Sequence, residues 1–337
     1  MNDKMIYRNL GSSELSASIV GLGAFAIGGW PYGGTEEKKS IEAIQTSIDM
    51  GVNLIDTAPM YGFGRSEEIV GKAIKGKRDK VIIATKCGMV WDRKDGVFQT
   101  YADEKGPSKT PAKYEVYRNL KPDSIRSEIE KSLKRLDTDY IDLYQTHWQD
   151  STTPIDVTMD ALNKLKDEGK IRAIGVSNVN LDQLKEYGNV VSAQERYTLL
   201  DRTLEENGIL EYCVNNNIAI LSYFTLERGL LTGKMSPDRI FKEGDTRKNN
   251  PQFTSENIKK INTMLEPFKQ IAEKYNASIA QIAITLTGSR RGITHMLIGA
   301  RDAEQARENA KGGYIQLSEE DRKRLIEVVD DYIAENT

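Results

Sequence analysis

Two cysteines and two histidines in 337 residues are too few for a disulfide framework or a zinc ligand set. Charge of one sign is also missing. Lys and Arg number 47 against 50 Asp and Glu, a net charge of −3, so there is no basic excess to hold nucleic acid or an anionic membrane surface. No apolar run approaches the ~20 residues of a transmembrane helix. The least charged stretch, Ile19 to Gly34, is broken by Gly21, Gly23, Gly28, Gly29, Gly33 and Pro31 and makes a poor helix. The opening Met1 to Ser13 lacks the apolar core of a secretory signal, so a reducing, cytoplasmic setting is expected. No Pro- or Ser-rich linker divides the chain, and one domain over residues 1–337 is expected.

What is present is an alternation. Eight short runs, continuous and rich in β-branched residues, read as buried strands: Ser18–Leu22, Asn53–Asp56, Val81–Lys86, Ile141–Gln145, Ile171–Val176, Val190–Ala193, Ile218–Tyr223 and His295–Ile298. Amphipathic helical segments lie between them. Ile41, Ile44 and Ile48 share one helical face after Thr35, and Ile125, Ile129, Leu133 and Leu136 do so after Pro122. Further helix starts are expected at Thr153-Pro154, with the threonine as cap, and at Ser66. Strand–helix alternation of this kind predicts an α/β fold, a (β/α)8 TIM barrel, which needs about 250 residues plus insertions. The excess falls in an N-terminal β-hairpin over residues 5–18, long loops at 88–121 and 235–254 after strands three and seven, and a C-terminal helix from Gln316.

In such barrels the reactive groups lie at the C-terminal ends of the strands. Those ends carry Asp56, Lys86 and His147, with Tyr61 five residues past Asp56. Each alone has an ordinary reading, as a cap, a snorkelling lysine, a core histidine and a loop aromatic; their coincidence points to a site. Gly21-Leu-Gly23-Ala-Phe-Ala26 matches a dinucleotide-binding G-x-G-x-x-A, but the residues after it cannot open the required helix. Gly299-Ala300-Arg301 is the better anion site, since it follows strand eight and a helix begins near Asp302.

Asp56-Thr57-Ala58 with Tyr61-Gly62, then Ser66-Glu67, Thr85-Lys86, Asp139-Tyr-Ile-Asp-Leu143 and His147, resemble the aldo-keto reductases. The resemblance runs from about Met5 to Asn309 and is densest at Lys134–Leu143, Gly169–Asn178 and Arg228–Lys234. It is most similar to the bacterial branch near the voltage-gated potassium channel β subunits. The resemblance implies an NADPH-dependent oxidoreductase that transfers hydride to an aldehyde, ketone or sugar-type carbonyl. It implies a catalytic tetrad: Tyr61 as general acid, Lys86 lowering the phenol's pKa, Asp56 holding Lys86, and His147 aiming the carbonyl. For NADPH/NADP+ it implies Ser177, Asn178 and Gln194 at the carboxamide, Tyr223 stacked on the nicotinamide, and Leu226, Gly229 and Lys234 around the diphosphate. Gly299, Arg301, Gln305, Glu308 and Asn309 fall at the adenosine and its 2′-phosphate.

Candidate substrate walls are Phe25, Trp30, Trp91 and Trp148, and the 88–121 loop is expected to act as a lid. Departures from the family pattern include Ala24, Glu195-Arg196 and Phe224-Thr225-Leu226-Glu227. The expected partner is a small-molecule carbonyl compound, with no nucleic acid or membrane; a homo-oligomer is compatible with the sequence. Two alternatives stay open. One is an NADPH-binding sensor or regulatory subunit with low turnover, and the other a barrel aldolase forming a Schiff base on Lys86.

Overall fold

The computed structural model describes residues 4–29, 36–104, 106–242 and 245–336. The strands, in chain order, are β1 (Tyr7–Asn9), β2 (Ser16–Ser18), β3 (Val20–Gly23), β4 (Leu54–Asp56), β5 (Ile82–Cys87), β6 (Met89–Val90), β7 (Val97–Asp103), β8 (Gly106–Ser108), β9 (Tyr114–Arg118), β10 (Ile141–Thr146), β11 (Ile171–Ser177), β12 (Ser192–Arg196), β13 (Ala219–Tyr223) and β14 (Ile293–Ile298). β3, β4, β5 and β10 to β14 close into a parallel eight-stranded barrel, as the eight apolar runs predict. β4, β5 and β10 are buried along their whole length, as parallel strands covered by helices must be. The expected hairpin is β1 paired antiparallel with β2.

The helices are α1 (Glu37–Asp49), α2 (Arg65–Ala73), α3 (Pro122–Leu136), α4 (Ile155–Asp167), α5 (Leu181–Tyr187), α6 (Thr203–Glu206), α7 (Ile209–Asn215), α8 (Ser255–Met264), α9 (Glu266–Lys274), α10 (Ile279–Gly288), α11 (Ala303–Lys311) and the C-terminal α12 (Glu319–Asn336). α3 begins on Pro122 and buries Ile125, Ile129 and Leu136, the expected stripe. Two helix starts differ from expectation. The Thr153 hydroxyl donates to Asp150 at 2.7 Å instead of capping α4. Ser66 is the second residue of α2, behind a left-handed Gly64, and its hydroxyl donates to the Ala24 carbonyl at 2.9 Å. Thr35 and Trp30 lie outside the described residues. No described helix is long and apolar enough to cross a membrane.

The 88–121 segment is not an irregular loop. It forms a four-stranded antiparallel sheet in the order β6-β9-β7-β8. Ala102 and Val116 are fully buried on its underside with Met89 and Met60, while Phe98, on the same strand as Ala102, is exposed. A register shift between Phe98 and Thr100 breaks the period-two alternation, which is why the pattern is not visible in the sequence.

Candidate active site

Register places the site. Asp56 pairs with Ala84, two residues before Lys86, and Lys86 pairs with Gln145. Side chains two apart on a strand share a face, so Asp56, Lys86 and Gln145 all point into the barrel mouth. Ser177 pairs with Gln194 on the far side of the barrel. His147 follows β10 by one residue, and its N–H donates to the Cys87 carbonyl at 2.8 Å.

Lys86 is only 1% exposed, and a buried ammonium must be paired. It donates to both Asp56 oxygens at 2.9 and 2.8 Å and to the Thr57 carbonyl at 3.0 Å. Its last contact is the Tyr61 hydroxyl, at 3.1 Å. Asp56 Oδ1 also accepts from Gln194 Nε2 at 2.7 Å and from Gln145 Nε2 at 3.4 Å. The Tyr61 ring meets the His147 ring edge-on at 5.9 Å between centroids and Phe25 at 4.9 Å. Phenol, amine, carboxylate and imidazole, far apart in the chain, therefore meet in one place.

Burial raises the Tyr61 phenol above its ordinary value and outweighs the opposing pull of Lys86. This corrects the expected direction: the ammonium lowers the phenol's pKa, but by less than desolvation raises it. Burial works against the charge on Lys86, yet Asp56 and Tyr61 more than offset it and hold Lys86 above the usual lysine value. Burial, with the Lys86 charge, pushes His147 well below the ordinary histidine value, so its imidazole is neutral.

Asp56, Tyr61 and His147 line a cavity of about 640 Å³. Its wall includes every residue expected at the cofactor: Ser177, Asn178, Gln194, Tyr223, Leu226, Gly229, Lys234, Gly299, Arg301, Gln305, Glu308 and Asn309. Phe25 and Trp148 also line it; Trp91 does not, and packs beside Phe63 under the antiparallel sheet. Asn178 holds a left-handed backbone, φ 56°, a conformation asparagine tolerates. It donates to the His147 carbonyl at 2.9 Å and accepts from the Tyr223 hydroxyl at 2.7 Å. The Ser177 hydroxyl donates to the Gln194 carbonyl at 2.7 Å.

Two further features shape the wall. Lys234, in the segment after β13, pairs with Glu308 of α11 at 2.7 Å. At the other approach, Asp302 caps α11 by accepting from Gln305 N at 2.8 Å, and Asn309 donates to the Gly299 carbonyl at 3.0 Å. The Arg301 guanidinium projects from this turn with no ion pair to any described residue. The Gly21–Ala26 decoy leads only into a short 3-10 turn, Ala26–Gly28.

Sequence reasoning missed several residues of the site and its wall. Gln145 sits inside a strand and gives no signal beyond the strand itself. Arg228 lies in a motif noted for resemblance but was not singled out; it adopts φ 52° and stacks over Phe224 at 4.5 Å. Arg247, also on the wall, pairs with Asp245 at 2.7 Å. The Ser66-Glu67 motif proves to be scaffolding: Glu67, fully buried, accepts from Thr85 at 2.6 Å and from Arg135 at 2.6 Å.

The chain forms a closed parallel barrel with a buried Lys86–Asp56 pair and half-buried Tyr61 and His147 at its mouth, and residues 19–330 match the Aldo/keto reductase family. The chain belongs to that family. It is 40% identical over 330 residues to the NADH-specific methylglyoxal reductase of Escherichia coli, covering 95% of this chain and 97% of that one. It is 39% identical over 337 residues to the aldo-keto reductase YhdN of Bacillus subtilis, covering 98% and 96%. Among solved structures, a glycerol dehydrogenase of Gluconobacter oxydans superposes with a TM-score of 0.83 at 37% identity, over 99% of this chain and 95% of that one.

Proposed function

We propose that this protein reduces small aldehydes and ketones with a nicotinamide dinucleotide, NADPH being preferred, and that Tyr61 supplies the proton. One observation carries the reading: the Tyr61 hydroxyl lies 3.1 Å from an ammonium that is itself locked on both oxygens of Asp56, at a cavity also lined by His147.

The cavity's donor set suits a dinucleotide. Ser177, Asn178 and Gln194 offer hydroxyl and amide groups to a carboxamide. Leu226, Gly229 and Lys234 would hold the diphosphate, and Tyr223 offers an aromatic face. Arg301 at the start of α11 suits a 2′-phosphate, because helix N-termini favour an anion and so does a guanidinium with no ion pair among the described residues. The reduced cofactor supplies a hydride to the carbonyl carbon.

The chain's own residues do the rest. A neutral His147 donates one N–H to the carbonyl oxygen and orients it. Tyr61, kept protonated by burial, gives its proton to that oxygen as it gains charge, leaving a phenolate. Lys86, held charged, stabilises the phenolate until solvent returns the proton. Asp56, Gln194 and Gln145 fix the ammonium. A Schiff base on Lys86 needs the free amine, which this ion pair opposes.

The names of the Escherichia coli and Gluconobacter relatives, a methylglyoxal reductase and a glycerol dehydrogenase, support a small polar carbonyl compound or its alcohol as substrate. The first of those names also specifies NADH, so the cofactor is the part of the reading that most needs measurement. Two buried, unpaired cysteines, Cys87 and Cys213, suit a reducing compartment, and we place the reaction in the cytoplasm.

The test is oxidation of NADPH and NADH, followed by absorbance, across a panel of aldehydes, ketones and aldoses. Turnover with a carbonyl and loss of it in Tyr61→Phe support the reading. Cofactor binding without turnover on any member would support the sensor subunit instead.

A further inference from the structure

Three of the four groups in the cluster are fixed by the barrel. Asp56 and Lys86 stand on strands, and His147 is one residue beyond a strand, hydrogen-bonded to its neighbour. Tyr61 alone comes from a turn. Its hydroxyl must nevertheless stay within bonding reach of Lys86, so that turn needs support of its own.

The turn is unusual. Gly62, Phe63 and Gly64 all hold positive φ, at 68°, 55° and 95°. Glycine adopts that region freely, and Gly62 is needed for a second reason, since a Cβ there would lie 2.0 Å from the Gly28 carbonyl oxygen. Phe63 has no such freedom; a bulky side chain in the left-handed region persists only where its surroundings over-determine it.

Among the described residues, the aromatic contacts of the Phe63 ring are with the antiparallel sheet. The Phe63 ring lies 4.3 Å from the Tyr114 ring and 5.1 Å from the Trp91 ring, centroid to centroid. Tyr114 opens β9 and Trp91 directly follows β6, so both are carried by one sheet. Beneath them Met60, the residue before Tyr61, packs on Met89, Ala102 and Val116.

We propose that Phe63, clamped between Trp91 and Tyr114, is a positioning residue for Tyr61, and that the four-stranded sheet is the platform that keeps the phenol beside Lys86. This rests on Tyr61 being the acid. It assigns the inserted sheet a role as a fixed support, not a moving lid, and makes Trp91 act through Phe63 instead of touching substrate.

The experiment compares wild type, Phe63→Ala, Trp91→Ala, Trp91→Phe and the Phe63→Ala/Trp91→Ala double variant. Two quantities are read: kcat for small and large carbonyl substrates, and amide hydrogen exchange in a peptide covering residues 58–68. Misplacing a reacting group by about 1 Å costs about a hundredfold. Both alanine variants are therefore expected to lose about ten- to a hundredfold in kcat, by the same factor for every substrate, with cofactor affinity unchanged and faster exchange at the turn. Trp91→Phe restores both readouts, and the double variant is no worse than Phe63→Ala alone. Wild-type exchange and kcat in the two alanine variants would overturn the proposal. So would a kcat loss that grows or shrinks with substrate size while exchange is unchanged, because Trp91 would then be a substrate wall. Additive losses in the double variant would overturn it too. If wild type turns over no carbonyl, it is the reading of Tyr61 as acid that fails; exchange then decides the clamp alone, and unchanged exchange removes it.

Discussion

Arg301→Ala separates the two cofactors. The guanidinium has no ion pair with any described residue, so its removal strands no buried carboxylate. The turn that carries it is held by other groups: the Asp302 cap on Gln305 N at 2.8 Å and the Asn309 bond to Gly299 at 3.0 Å. The substitution should therefore leave the fold in place and delete only what the side chain does for a ligand. A charge-assisted hydrogen bond contributes about 1.5–3 kcal/mol. At about 1.4 kcal/mol per decade, NADPH should bind about 10- to 150-fold more weakly. NADH has no 2′-phosphate, and its affinity should move by about twofold, the size of an ordinary surface change. The assay is direct titration of both reduced cofactors at one fixed ionic strength, because salt screens the contact. Equal weakening of both would show that Arg301 serves a feature they share. No weakening of either, in a wild type that prefers NADH, would refute the assignment of the 2′-phosphate to this residue and place the chain beside its Escherichia coli relative in cofactor choice.

Tyr61→Phe removes the proposed acid and should lower kcat by about 10²–10⁴ while cofactor affinity stays as it is; undiminished turnover would remove Tyr61 from the mechanism. The pH dependence should differ by direction. Because burial raises the phenol and keeps His147 neutral, carbonyl reduction should show no break near the ordinary histidine value of about 6.5, whereas alcohol oxidation, which needs the phenolate, should rise with pH. A reduction profile that titrates near that value would mean that His147 is ionised in the working enzyme. Glu128, buried on α3, accepts from Gly88 N at 2.9 Å and has its carboxyl pushed up to about 8 by burial. The folded protein keeps that proton where the unfolded chain has lost it. The group's contribution to stability is therefore complete below the unfolded value and is lost as pH rises through about 8. Glu128→Gln keeps the acceptor and should flatten the fall in melting temperature between the unfolded carboxyl value and about 8; parallel pH dependences for the two proteins in that range would contradict this.

The barrel was legible because its strands are unbroken β-branched runs, buried on both faces and separated by helical stripes such as Ile125, Ile129 and Leu136. The convergence of Asp56, Lys86 and His147 was legible because the first two end such runs and His147 lies just past one. The antiparallel sheet was not, since its alternation is interrupted at Phe98 and Thr100 and two of its strands, β6 and β8, are too short to show a period. Trp91 looked like a pocket residue because a tryptophan in a long segment carries no sign of which face it packs on; only the sheet turns it toward Phe63. The direction of the Tyr61 shift was hidden for a different reason. A neighbouring ammonium can be inferred from spacing, but the desolvation that outweighs it belongs to the closed cavity wall, which no local pattern encodes.

The same burial decides which substitutions in the tetrad can be interpreted. Asp56 and Lys86 are a nearly fully enclosed ion pair, and removing one partner leaves an uncompensated charge inside the barrel, a loss that falls on folding as well as on chemistry. Asp56 is also where Gln194 and Gln145 converge, so an Asp56 variant disturbs three donors at once. Its kinetic defect would therefore be inseparable from a structural one. Tyr61 faces the cavity, gives its ring to Phe25 and His147, and contributes one hydroxyl to the polar network. Replacing that hydroxyl by hydrogen keeps the ring contacts and leaves Lys86 paired on both Asp56 oxygens. The phenol's chemistry can thus be removed while the charge balance beneath it stands, and under the proposed mechanism a kinetic loss there is a direct measure of what the cluster does.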